Sequence, residues 1–186
     1  MNHTGSKILH TERLTLRPFR ETDAEDMFTR WASDPNVTKY VTWTPHENVE
    51  MTRALLRLWE EEAKDARTYH WAIEFENRLI GDIALLAVDD WSESATVGYC
   101  MAKEAWGKGI MTEAFGEVLR YAFEEVGFMR IAGEHAIQNP ASGRVMEKCG
   151  LKYEGTRRGR FRLPSTGEWT DIVMYGITKQ DYFQNK

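Results

Sequence analysis

Cysteine is scarce in this chain: Cys100 and Cys149 are the only two in 186 residues. Two thiols cannot make a disulfide framework, and both fall in stretches that read as strand and helix, where a thiol serves as a small buried group. The five histidines show no metal-ligand spacing, so no metal is expected. No apolar run nears the roughly 18 residues that a membrane span requires. The opening Met1-Asn-His-Thr-Gly-Ser-Lys7 lacks the apolar stretch of a signal peptide, and the expected location is the cytoplasm. Repeats, low-complexity tracts and linkers are missing too, which leaves one domain over 1–186 as the expectation.

Basic residues are outnumbered, 24 to 29, for a formal net charge of -5. Nucleic acid, whose binding depends on lysine and arginine meeting phosphates, is not an expected partner, and neither is a membrane. The local exception is Arg157-Arg158-Gly-Arg160-Phe-Arg162. That run could meet an acidic partner or adenosine phosphates, but it reads better as the solvated face of a β-hairpin.

What the chain does have is apolar residue in quantity, 42%, enough for a substantial core. Its periodicity changes along the sequence. Strands are expected near 8–17, 69–75, 79–88, 95–102, 129–137, 151–162 and 169–177, and helices near 23–33, 49–64, 110–126 and 140–149. Strands and helices alternate late but not early. The fold class this implies is α/β, with a mixed sheet of about seven strands, antiparallel in its first half, and about four flanking helices.

One turn carries most of the chemistry: Trp106-Gly107-Lys108-Gly109-Ile110-Met111-Thr112. It joins the strand Ala95-Thr-Val-Gly-Tyr-Cys-Met101 to a helix whose Phe115, Val118, Leu119, Ala122, Phe123 and Val126 share one face, with Gly127 as the stop. Two glycines let the backbone approach a bulky ligand, and the first amides of the helix have no intrahelical acceptor. Such a helix start suits a phosphate. Taken alone, the turn also reads as a plain helix start beside an exposed lysine. Two nucleotide motifs do not apply. A Walker loop needs Gly-Lys-Ser/Thr, but Gly109 follows Lys108, and a dinucleotide fingerprint needs a third glycine where Thr112 stands.

A second segment narrows the reading. After a strand over Arg130-Ile-Ala-Gly-Glu-His-Ala-Ile137 comes a short helix, with Asn139 as N-cap, Pro140 at its first position and Gly150 as its stop. Val145, Met146 and Cys149 are expected to face inward.

Together these segments resemble the GCN5-related N-acetyltransferases, and within them the branch that acetylates ribosomal-protein N-termini. The resemblance runs through Thr11-Glu-Arg-Leu-Thr-Leu-Arg-Pro18, Asp23-Ala-Glu-Asp-Met27, Gly81, the turn from Trp106 to Ala114, the segment from Asn139 to Leu151, and Asp171-Ile-Val-Met-Tyr175. It departs at two positions. Glu104 stands where the family's phosphate signature opens with Gln or Arg, and Met146 stands where many relatives carry a proton-donating tyrosine.

The resemblance implies acetyl-CoA as cosubstrate and direct attack of a primary amine on its thioester. Main-chain groups of Tyr99, Cys100, Met101, Ala102 and Lys103 would hold the pantetheine arm and thioester oxygen. The amides of Gly107, Lys108, Gly109, Ile110, Met111 and Thr112 would hold the pyrophosphate. Asn139 would touch the arm from the other side or act only as a helix cap, and Ser142 would protonate the leaving thiolate.

Energetics bear on the acceptor. Deprotonating a lysine amine at pH 7 costs roughly 4–5 kcal/mol, and an α-amine about 1 kcal/mol, so an N-terminal acceptor needs only a weak base or a water chain. Asp82, Glu134 and His135 are the candidates, with Glu134 slightly first; alternation sends Glu134 and His135 to opposite faces. The segment Asp34-Pro-Asn-Val-Thr-Lys-Tyr-Val-Thr-Trp-Thr-Pro45 and the hairpin from Arg160 to Trp169 are expected to shape the acceptor groove, unless Trp43 and Trp169 merely cover the core edge. A protein N-terminus, a small amine such as a polyamine or antibiotic, or no turnover at all in a CoA-binding module remain three distinct readings, for a monomer or homodimer.

Overall fold

A computed structural model of the chain describes residues 1–184; residues 185–186, which complete the expected domain span, lie outside the described residues. Eight strands form one sheet in the order β1-β2-β3-β4-β5-β6-β8-β7. They are β1 (Leu9–His10), β2 (Leu14–Arg17), β3 (Tyr69–Phe75), β4 (Arg78–Asp89), β5 (Ser94–Met101), β6 (Arg130–Ala136), β7 (Lys152–Arg162) and β8 (Trp169–Thr178). The helices are α1 (Ala24–Met27), α2 (Val49–Glu62), α3 (Ile110–Arg120), α4 (Pro140–Lys148) and α5 (Lys179–Gln184). The mixed α/β class holds, with eight strands in place of about seven and five helices in place of about four.

Each difference has a local cause. The expected strand over 8–17 reverses at Thr11, whose hydroxyl accepts the Leu14 amide at 2.9 Å, so that Leu9 pairs with Leu16. The unanticipated α5 starts with a reciprocal cap: the Thr178 hydroxyl donates to Asp181 at 2.6 Å and accepts the Asp181 amide at 3.1 Å. The helices expected over 23–33 and 110–126 widen near their ends, where Ser33 N–H reaches back to Phe28 O and Gly127 N–H to Ala122 O. Gly127, at φ 94°, then terminates the second of them as expected.

Among the described residues only β5 and β6 run parallel; every other neighbouring pair is antiparallel. The crossover between them is α3, whose Phe115, Val118 and Leu119 pack with Trp71, Ile83 and Val97 into the larger core. On the opposite face, Met27, Trp31 and Leu56 of the α1–α2 region build a second core with Phe19 and Ala72. The sheet is therefore covered on both sides of its parallel β5–β6 joint.

Candidate active site

That joint opens. β5 and β6 are paired only from Ser94↔Arg130 to Val97↔Gly133, while β5 continues to Met101 beside β4 and β6 continues to Ala136 beside β8. Residues 98–101 and 134–136 thus diverge, leaving main-chain groups on their facing edges without a strand partner. Alternation decides which groups these are. Ala102 N–H donates to Ile80 O at 2.8 Å, so Ala102 and Cys100 turn their main-chain groups toward β4, and Tyr99 and Met101 turn theirs into the opening. The Met101 carbonyl accepts the Trp106 indole N–H at 2.8 Å. Of the five residues expected to present main chain to a ligand, Tyr99 and Met101 turn theirs into the opening, Cys100 and Ala102 turn theirs toward β4, and Lys103 begins a tight turn.

The glycine turn follows directly. Gly107 and Gly109 both adopt φ +74°, a left-handed conformation that suits glycine and leaves the start of α3 bare. No side chain caps this helix. A Cβ on Gly107 would meet nothing within 4 Å, and one on Gly109 would meet only the Arg13 guanidinium at 3.7 Å, so the cradle has room for a large anion. Lys108 is exposed, while Ile110 and Met111 point their side chains into the core and anchor the helix start. Thr112 accepts a long contact from the Cys149 thiol at its carbonyl.

Arg13 braces the cradle, a role not foreseen for it. Its guanidinium reaches the Lys108 carbonyl at 3.2 Å and Glu113 at 2.6 Å, and Glu113 also accepts the Thr11 hydroxyl at 2.5 Å. Burial pushes the Glu113 carboxyl up, but the hydrogen bonds from Thr11 and Arg13 outweigh it and hold it below its usual value. A carboxylate in the first helical turn would repel an arriving phosphate; here its charge is already neutralised. Glu104, the departure from the phosphate signature, is turned away and paired with Arg30 at 2.8 Å.

Across the opening, α4 presents Asn139 and Ser142. Asn139 occupies the N-cap position, and its carbonyl accepts the Ser142 amide, yet its side chain makes no capping bond and remains free. The Ser142 hydroxyl lies 2.9 Å from the Tyr99 hydroxyl, and burial pushes the Tyr99 phenol well up. Met146 is buried against Gly133 and offers no proton. Val145 and Cys149 are partly buried against the core, and burial pushes the Cys149 thiol up to about 12. Both cysteines are free.

The base candidates separate by face as alternation requires. Glu134 stands exposed on the α2 face, and His135 is buried on the α4 face, stacked on Tyr175 at 5.7 Å. His135 is so close under α4 that a Cβ on Gly143 would sit 2.5 Å from its Nε2. Asp82, on the same face as Glu134, is bonded to His70 at 3.0 Å, a residue the sequence reading passed over.

Asp82, Glu134, Tyr99, Asn139 and Ser142 all border one cavity of about 1150 Å³, which extends under α2 to Trp43, Met51 and Trp59. Its roof is made by the two expected segments: Tyr40 to Trp43 from the first, Phe161 from the hairpin. The two are tied by a Ser165 hydroxyl bond to the Lys39 carbonyl at 2.8 Å. Trp43 lines the cavity, whereas Trp169 is 67% exposed and takes no part. The glycine cradle lies outside this cavity, on the open surface at the end of β5. Among the described residues no cluster could hold a metal ion, and no helix is long and apolar enough to cross a membrane.

A strand, β5, that parts from its parallel neighbour and runs into an uncapped helix start, in a sheet whose β3 and β4 floor an apolar cavity with the His70–Asp82 pair, defines the frame of an acyl-transferring α/β enzyme. Residues 13–152 match the family described as an acetyltransferase (GNAT) domain, and the chain belongs to that family of N-acetyltransferases. It is 31% identical over 174 residues to the uncharacterized N-acetyltransferase YoaA of Bacillus subtilis, covering 92% of this chain and 97% of that one. It is 33% identical over 124 residues, 67% of each chain, to YdaF of the same bacterium, whose name links it provisionally to ribosomal N-acetylation. A GNAT-family acetyltransferase structure from Bacillus anthracis superposes with a TM-score of 0.81 at 27% identity, covering 94% of this chain and 99% of that one.

Proposed function

We propose that this chain transfers the acetyl group of acetyl-CoA to a primary amine, foremost the α-amine of a protein or peptide N-terminus, with both substrates bound together. The observation that carries the reading is the divergence of β5 from β6 beyond Val97 and Gly133, leading into the bare start of α3. When bound, acetyl-CoA supplies an activated thioester. The amides of Gly107 to Thr112 would hold its pyrophosphate with Arg13 and Lys108 nearby. Tyr99 and Met101 main-chain groups, with the unused amide of Asn139, would hold the pantetheine arm and draw charge from the thioester oxygen. The Ser142 hydroxyl would give the departing sulfur a proton. A single domain in the cytoplasm, as monomer or homodimer, fits this reading.

The acceptor would occupy the half-open, largely apolar cavity between α2 and the sheet. An extended N-terminus could lie along it with its α-amine at the β5 end; a second reading is a small amine. A mass-spectrometric screen of acetyl-CoA against peptides with free α-amines, polyamines and aromatic amines separates the two. Acetylation of peptides at the α-nitrogen supports the first, acetylation of small amines alone the second. Absence of acetyl-CoA binding by calorimetry overturns both.

A further inference from the structure

Asp82 and His70 meet on the floor of the acceptor cavity, on adjacent strands and one face of the sheet. Ala72 pairs with Asp82 and His70 with Ala84, so the two side chains are diagonal neighbours. His70 Nε2 lies 3.0 Å from Asp82 Oδ2, and each side chain is 15% exposed. The imidazole is fixed between two aromatic rings, Phe19 at 5.1 Å and Trp59 at 4.2 Å, both inclined edge-on. With Asp82 ionised, Nε2 carries the hydrogen of that bond and Nδ1 carries a lone pair. Nδ1 has no hydrogen-bond partner among the described residues, and the His70 side chain lines the cavity.

An imidazole oriented by a carboxylate on one nitrogen and free on the other is the arrangement of a proton acceptor. Its position suits the reaction. Asp82 stands directly opposite Cys100, within the stretch of β5 that has parted from β6, so the pair sits beside the strand segment proposed to hold the thioester. The other titratable or charged groups bordering the cavity are Glu62, Asp65 and Arg67 at and beyond the end of α2, His46 beside Trp43, Tyr40, Tyr69, Tyr99, Cys100, Glu134 and His135, the last with its Nδ1 bonded to the Ala136 carbonyl. Glu134 is exposed across the gap.

We infer that His70, positioned by Asp82, is the base that deprotonates the acceptor, an inference resting on the amine-transfer reading above. The acceptor ammonium gives one proton to His70 Nδ1. The neutral nitrogen then forms a bond to the thioester carbonyl carbon as the carbon–sulfur bond breaks. The second proton that nitrogen loses balances the one gained by the sulfur, and the imidazolium returns its proton to solvent. His70 is thus the catalytic residue and Asp82 the positioning residue.

The test uses the full chain, acetyl-CoA, and short free-α-amine peptides with phenethylamine as probe acceptors. His70→Gln keeps a donor to Asp82 but cannot take a proton. It is expected to lower kcat/KM for the acceptor at pH 7 on the order of 100-fold, leaving acetyl-CoA affinity unchanged and flattening the limb of the pH profile that reports the base. Asp82→Asn is expected to lower it comparably, with the double variant little worse than either alone. Activity of His70→Ala should rise on adding imidazole. Wild-type kcat/KM and pH profile in His70→Gln overturn the inference, as does a limb that persists there and vanishes in Glu134→Gln. If the wild-type chain binds acetyl-CoA and still acetylates no amine, the amine-transfer reading itself falls, and this inference with it.

Discussion

The Tyr99 hydroxyl lies 2.9 Å from both the carbonyl and the hydroxyl oxygen of Ser142. Donating its hydrogen to the carbonyl, it is left to accept from the serine, and burial keeps the phenol protonated at every physiological pH. Ser142→Ala is therefore expected to reduce turnover on the order of 100-fold while leaving acetyl-CoA affinity nearly intact. Tyr99→Phe is expected to reduce it less, by freeing the serine hydroxyl rather than removing it. Steady-state kinetics with calorimetric affinities check both, and equal losses in turnover and affinity for Ser142→Ala would reduce that residue to a binding role.

Gly109→Val should abolish acetyl-CoA binding. A β-branched residue at φ +74° is strained by about 1–3 kcal/mol, and its side chain would stand at the mouth of the amide cradle. Calorimetry on the folded variant is the measurement; wild-type affinity would remove the cradle from the account.

Gly81→Ala tests the sheet beneath the site. The added Cβ would fall 2.5 Å from the Cys100 carbonyl and 3.0 Å from the Met101 Cα, so β5 must move. The expected result is a loss of about 1–3 kcal/mol in urea denaturation, together with weaker acetyl-CoA binding.

Asp23→Ala should be costly for a different reason. Arg17 is a buried guanidinium held by both oxygens of Asp23, at 2.8 and 2.9 Å, and by Glu74. Removing Asp23 leaves that charge half paired, for an expected loss of about 3 kcal/mol or more in denaturant unfolding.

Acid should loosen the chain at two termini of its structure. The Lys152 ammonium and the Thr178 hydroxyl hold Asp181 down at about 2, and Glu113 is held low by Thr11 and Arg13. A carboxylate depressed by folding contributes stability that is present above its unfolded value and lost as pH falls through its folded one. The melting temperature is therefore expected to hold above about pH 4 and drop between about 4 and 2. Scanning calorimetry of the wild type beside Arg13→Met measures the Glu113 share, and identical acid profiles would exclude it.

Legibility followed the length scale of the signal. The turn from Trp106 to Thr112, the buried face of α3 and the stop at Gly127 were readable because glycine placement and helical spacing are local. The alternation that separates Glu134 from His135 was readable for the same reason. Arg13 was not: it acts on Lys108 and Glu113 across about a hundred residues, and nothing in its own neighbourhood marks it. His70 lay between these cases. Glu76 and Asn77, both at positive φ, close a two-residue hairpin, and counting back from it brings His70 near Asp82, but the irregularity at Ile73 and Glu74 shifts the count by one. The orientation of Trp169 was not legible, because an aromatic in a hairpin can face either way, and this one faces out.

The brace from Thr11 and Arg13 to Glu113 gives the first thirteen residues a duty beyond completing the sheet. A shortened version of this protein beginning at β2 would lose Leu9 from the core and the carbonyls that accept the Trp71 indole and the Tyr121 hydroxyl, and it would leave Glu113 without the bonds from Thr11 and Arg13 at the helix end proposed to receive a diphosphate. Trimming or tagging near this amino terminus is thus a change to ligand electrostatics as well as to packing.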